Sequence, residues 1–158
     1  MRKFALLLIL CFTFSLFFTG EENRNLKIKS SIRPGKLSRT QEGEVIFELT
    51  VERGITISPQ PSFTIEFSPC EGLVFPKNFF TASDLSVEIL EEKGHEYLNL
   101  KEPIKIPFTV STDAKRGRCT LQGKIKYFAC SLENGWCLKT FSKFSVLFYI
   151  RKTTIKKK

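Results

Sequence analysis

This chain predicts an all-β sandwich of about seven to nine strands, and three observations carry that prediction. Apolar residues recur at period two in successive runs, as in Val45, Phe47, Leu49 and Val51. Turn-forming clusters such as Pro34-Gly35, Glu91-Glu-Lys-Gly94 and Asp113 to Gly117 separate these runs at intervals of roughly 8–12 residues. No stretch after the N-terminal segment sustains a 3.6-residue period. The length of 158 residues suits one domain, and an apolar fraction of 42% is ordinary for a globular protein. No internal repeat or low-complexity segment interrupts it.

The elements follow in order. Leu26 to Lys29 alternates and reads as a first strand, and Ser30 to Thr40 reads as a turn or loop. Gly43 to Arg53 is a half-buried strand in which Ile46 breaks the pattern and points to a second sheet or an edge. Ile55 to Pro61 is a proline-containing connection, after which Phe63, Ile65 and Phe67 alternate until Pro69-Cys70-Glu71-Gly72 stops the run. Leu73 to Phe80 carries Pro76 and a pair of phenylalanines. Leu85, Val87 and Ile89 alternate into the Glu91–Gly94 turn, and His95 to Leu100 returns as a partner strand. Ile104, Ile106, Phe108 and Val110 alternate despite Pro107, which marks an edge strand or a bulge. Arg118 to Ala129 puts Cys119, Leu121, Ile125 and Tyr127 on one face, so Cys130 falls on the other with Phe128. Phe141 to Ile150 sets Phe144, Val146, Phe148 and Ile150 on one side and Leu147 and Tyr149 on the other, the pattern of a central strand covered on both faces.

The N-terminus reads as a targeting segment. Arg2-Lys3 precedes an apolar run from Phe4 to Phe18, of a length that suits a signal-peptide core and is short for a membrane span. Export with cleavage near Gly20 is the expectation, with an uncleaved anchor as the alternative. Residues 1–20 are then the signal or anchor and residues 21–158 the sandwich domain. Phe18 is bulky for a cleavage site, and no lipobox is evident, because Leu10 before Cys11 is not small.

Export changes how the cysteines are read. Cys70, Cys119, Cys130 and Cys137 remain beyond the targeting segment, and an even count outside the cytosol points to disulfides. Four cysteines allow three connectivities, among which sequence alone does not choose. Cys130 and Cys137 flank a short polar turn with Asn134-Gly135, so two strand-like runs bring them to the neck of a hairpin, within reach of each other. Their C-x6-C spacing is not the C-x-x-C of thioredoxin-like folds, and no helix follows to activate a thiolate. The pair is either a staple, worth about 2.5 kcal/mol in the chain-entropy model, or a reversible redox couple. Cys70 and Cys119 are either a second, structural disulfide or two small buried apolar residues.

The run Tyr127-Phe-Ala-Cys130, a short turn and then Cys137, preceded by a Gly-containing strand, resembles the N-terminal domain of the thiol:disulfide interchange protein DsbD family. The likeness extends back through Ile104-Lys-Ile-Pro-Phe-Thr-Val110, within Gly43 to Ile150. The loop here is one residue longer than the family's usual form, and Leu138-Lys139-Thr140 stands where a proline commonly follows the second cysteine. The resemblance implies an immunoglobulin-like sandwich, a periplasmic setting and thiol–disulfide interchange of the kind that serves cytochrome c maturation. It implies that Cys130 and Cys137 are the catalytic pair, with Cys137 bonding to partners and Cys130 resolving. It also implies a cap loop over the pair, which would fall near Glu91 to Tyr97. Partners would be a membrane thiol transporter or thioredoxin-like donor acting in trans, and periplasmic disulfide proteins. The competing class is a non-enzymatic exported binding or assembly module with structural disulfides.

Other chemistries find no support. His95 reads as a solvated turn residue, and Glu91-Glu92 as surface charge. There is no zinc-type cysteine cluster, no phosphate loop and no nucleotide fingerprint, so no cofactor is expected. The net charge of +9 is scattered and not interleaved with aromatics on one recognisable face, so no nucleic-acid partner is expected.

Overall fold

The period-two runs become paired strands around one core. The computed structural model describes residues 25–60 and 63–151. The targeting segment, Cys11 and Pro61 lie outside the described residues. Twelve strands are present: β1 Leu26–Arg33, β2 Lys36–Leu37, β3 Glu42–Val51, β4 Thr56–Ile57, β5 Thr64–Phe67, β6 Leu73–Val74, β7 Phe79–Thr81, β8 Ile89–Glu92, β9 His95–Leu98, β10 Ile104–Val110, β11 Gly117–Ser131 and β12 Trp136–Ile150. Eight of them have four residues or more, which is the scale the alternation predicts.

One sheet runs β1-β3-β10-β6 and the other β2-β12-β11-β5-β7, with β4 added to β11. The β8–β9 hairpin forms its own two-stranded sheet. The fold is an all-β, immunoglobulin-like sandwich. Between the two larger sheets the inward residues of β3, β10, β11 and β12 meet, with Val45, Phe47, Ile106, Leu121, Ile125 and Ile150 fully buried. Aromatic rings fill the centre. Phe47 meets Phe144 edge-on at 4.8 Å, and Phe67 stacks on Phe75 at 4.1 Å. Gly123 faces Phe144 across the β11–β12 ladder, where an added Cβ would collide with the Phe144 ring and the Glu66 carbonyl.

The structure corrects several expectations. The stretch Ser30 to Thr40 is not all loop: β1 continues to Arg33, and Lys36–Leu37 pairs in parallel with the end of β12. The connection after Ile55 holds β4, which a two-residue length hides from any periodicity argument. Glu91 and Glu92 are strand residues, and the turn narrows to Lys93 and Gly94, both at positive φ. His95 is therefore an exposed strand residue opposite Glu92, not a turn residue. Strand β12 is not covered on both faces, because Leu147 is 64% and Tyr149 47% exposed. Apolar character at those positions reflects strand propensity rather than burial. Ile46 is buried away from the main core, in register with Ser31 and Lys105. Pro107 lies where β10 has β3 alone beside it, since β6 reaches only Thr109 and Val110.

Candidate functional site

Strands β11 and β12 stay in unbroken register from Gly117↔Ile150 to Ser131↔Trp136. That register sets Cys130 directly opposite Cys137, and the two are joined by a disulfide with Cα atoms 4.1 Å apart. The separation is near the roughly 4.5 Å of a non-hydrogen-bonded antiparallel pair, where facing side chains approach closest. Ser131 fastens the turn beyond. Its Oγ accepts from the Asn134 side-chain amide at 3.0 Å and backbone N–H at 3.3 Å, and its carbonyl accepts from Gly135 N–H at 2.9 Å. Gly135 takes φ +67°, which a glycine adopts without strain.

The two sulfurs differ in surroundings. Cys137 is exposed, whereas Cys130 is 6% exposed and points away from the main core. Strand alternation puts both on the outer face of the second sheet. There they share an open cavity of about 450 Å³ with Thr56, Gln60 and Leu132. Glu91, His95 and Glu96 of the β8–β9 hairpin line the same cavity. The segment to which the resemblance assigns the cap thus borders the disulfide. Thr56 pairs with Cys130 across the β4–β11 bridge, and Ser58 N–H donates to the Phe128 carbonyl at 3.0 Å, so the β4 side of the cavity is tied to β11.

Cys70 and Cys119 are free thiols, half-buried against the core at another part of the sandwich. Burial pushes the Cys70 thiol up, and the neighbouring Cys119 and Glu71 push it the same way. Burial also raises the Cys119 thiol. Both therefore stay protonated at neutral pH and are weak nucleophiles. Tyr127, three residues before Cys130, is wholly buried on the inner face, and its hydroxyl bonds Ser142 Oγ at 2.9 Å.

Among the described residues no group of His, Cys, Asp and Glu could hold a metal ion, and no helix is long and apolar enough to cross a membrane. The sequence reading brought the cysteine pair together but missed Thr56, Gln60 and Ser131. Alternation of Ile55 and Ile57 was the only signal for β4, and nothing in sequence distinguishes Ser131 from an ordinary turn serine.

No family model matches the chain, and no curated protein matches it. Among solved structures, the chain is similar to the seventh ScaB type I cohesin from Pseudobacteroides cellulosolvens, at 10% identity and a TM-score of 0.40, covering 83% of this chain and 96% of that one. It is also similar to murine CRIg, at 8% identity and a TM-score of 0.33, covering 80% of this chain and 98% of that one.

Proposed function

We propose that this chain is an exported thiol–disulfide exchange protein that relays reducing equivalents through Cys130 and Cys137. The observation that carries the reading is the asymmetry of the pair: a solvent-exposed Cys137 bonded to a buried Cys130 beside an open cavity. Exchange requires a thiolate to reach one sulfur, and accessibility selects which. The likeness to the DsbD N-terminal domain supports the same order of roles.

In the reduced state the Cys137 thiolate attacks a partner's disulfide, forming a mixed disulfide and releasing one partner thiol. Cys130 then attacks the Cys137 sulfur, releasing the second partner thiol and restoring the Cys130–Cys137 bond. Two electrons and two protons pass to the partner. A donor dithiol, from a membrane thiol transporter or a thioredoxin-like protein in trans, reverses the sequence to recharge the pair. The setting is periplasmic or otherwise exported.

Redox titration with peptide mapping tests the reading. The pair should titrate above about −300 mV, the region that structural disulfides of secreted proteins fall below. Cys130→Ser should trap a partner as a mixed disulfide through Cys137, and Cys137→Ser should trap far less. A potential well below that limit, with nothing trapped by either variant, leaves a non-enzymatic module stapled by a structural bond.

A further inference from the structure

The outer face of the second sheet is strongly one-sided in charge. Register and alternation put Lys36, Arg118, Lys124, Lys126, Lys139 and Lys143 on it. Glu66 is the one carboxylate among the strand residues of that face, and it is already engaged by Lys124 and Lys126. Lys139 and Lys143 have no ion-pair partner among the described residues, and both are exposed. Large apolar side chains stand between the cations. Phe79 is 52% and Phe141 51% exposed, and a cavity of about 240 Å³ opens between Phe79, Lys126 and Lys139. Cys137 lies on the same face, one outward position beyond Lys139.

We infer that this face is the docking surface for an acidic protein partner, which it steers onto Cys137. The inference rests on the exchange function proposed above and supplies the chemistry of its partner. Six cations against one engaged carboxylate attract a surface rich in Asp and Glu, and the exposed rings give it apolar area to cover once docked. A predominantly positive field raises the encounter rate and falls with salt, with Glu91 and Glu96 of the β8–β9 hairpin lining the disulfide cavity beside it. A protein is favoured over a lipid surface because the sulfur on this face needs a thiol or disulfide to meet. A basic partner would be turned away by the same field.

The test uses the full chain and a Glu-rich peptide carrying one cysteine, with a Lys-rich peptide for comparison. With the peptide cysteine blocked, the Glu-rich peptide should bind at low salt, and amide shifts should map to β11 and β12. Combining Lys139→Glu with Lys143→Glu should weaken binding by at least about tenfold, while Lys139→Arg with Lys143→Arg retains it. Combining Lys27→Glu with Lys105→Glu, an equal charge change on the other sheet, should leave it unchanged. With the cysteine free, its thiolate attacks Cys137 and Cys130 leaves as a thiolate. That step should run about tenfold faster for the acidic peptide than for the basic one, and the first charge-reversed variant should abolish the difference without altering reduction by dithiothreitol. Absence of peptide binding, or equal weakening by both charge-reversed pairs, overturns the docking surface. Sedimentation with phosphatidylglycerol vesicles that depends on Lys139 and Lys143, without peptide binding, assigns the face to lipid and overturns it too. A disulfide that no thiol reduces, in a chain that still binds the acidic peptide through this face, overturns the exchange function and leaves the docking surface standing.

Discussion

Strands β11 and β12 are paired over their whole length, yet the two halves of that ladder are held in different ways. In the half farther from the turn, Phe144 to Ile150 alternates strictly between buried and exposed, and each inward residue rests on the opposite sheet. In the half nearer the turn, Trp136, Cys137, Leu138 and Lys139 are all exposed, so β12 has no core beneath it there. Backbone pairing, the Cys130–Cys137 bond and the Ser131 hydrogen bonds hold that end together. On β12, hydrophobic burial stabilises one half, and backbone pairing with the disulfide holds the other against a β11 that stays packed through Tyr127 and Ala129. A bond that fastens the exposed end of β12 to a buried β11 can open without dissolving the fold, and a reversible pair needs that property.

The largest expected effect tests the packed half. Gly123→Ala drives a methyl group into the Glu66 carbonyl and the Phe144 ring, and the backbone carbonyl has little freedom to retreat. Denaturant unfolding should show a loss of about 3 kcal/mol, the upper part of the overpacking range. A loss below about 1 kcal/mol would mean that the two halves are less different than their burial indicates. Reduction of the disulfide tests the other half. It should lower global stability by at most about 2.5 kcal/mol. Hydrogen exchange should accelerate at 136–140 while the amides of 144–150 keep their protection. Uniform acceleration along both strands would break the comparison.

The smallest effect concerns Glu66, whose carboxyl is held below the usual range first by its hydrogen bond to Lys126 and then by Lys124. A depressed folded value means that the carboxylate favours the folded state above its ordinary value of 4.5 and loses that contribution as the pH falls through the lowered one. The contribution is about 1 kcal/mol or less for so accessible a pair. NMR titration of the Glu66 carboxyl should give a midpoint under the ordinary value, and Lys126→Gln should raise it.

Much of this was legible in the chain because strand alternation reports directly on which face a residue takes. The inward sets of β3, β10, β11 and β12 follow from period two, as does the placement of Cys130 opposite the core-facing Tyr127. Facing of Cys130 and Cys137 followed from the turn between them. What stayed hidden involved contacts without periodicity. Strands β2 and β4 are two residues each, and their pairing with β12 and β11 is set by tertiary packing rather than by local pattern. Exposure of Leu147 and Tyr149 was unreadable because an apolar residue on a strand is equally suited to a covered or an open face. The basic outer face was hidden because its lysines are scattered in sequence and gather only through the register of three strands.

Pro107 has a consequence for how copies of this chain meet one another. Val110 N–H donates to the Gln41 carbonyl on the β3 side. By alternation, the N–H groups of Phe108 and Ile106 point the same way, and those of residues 103, 105, 107 and 109 point toward the open edge. Two of those four are prolines with no hydrogen to give, and Thr109 is paired with Val74 of β6. A strand approaching from solvent finds a single free donor there, at Lys105, whose charge repels the same lysine on a second copy. The β10 margin of the first sheet is thereby closed to edge-to-edge polymerisation.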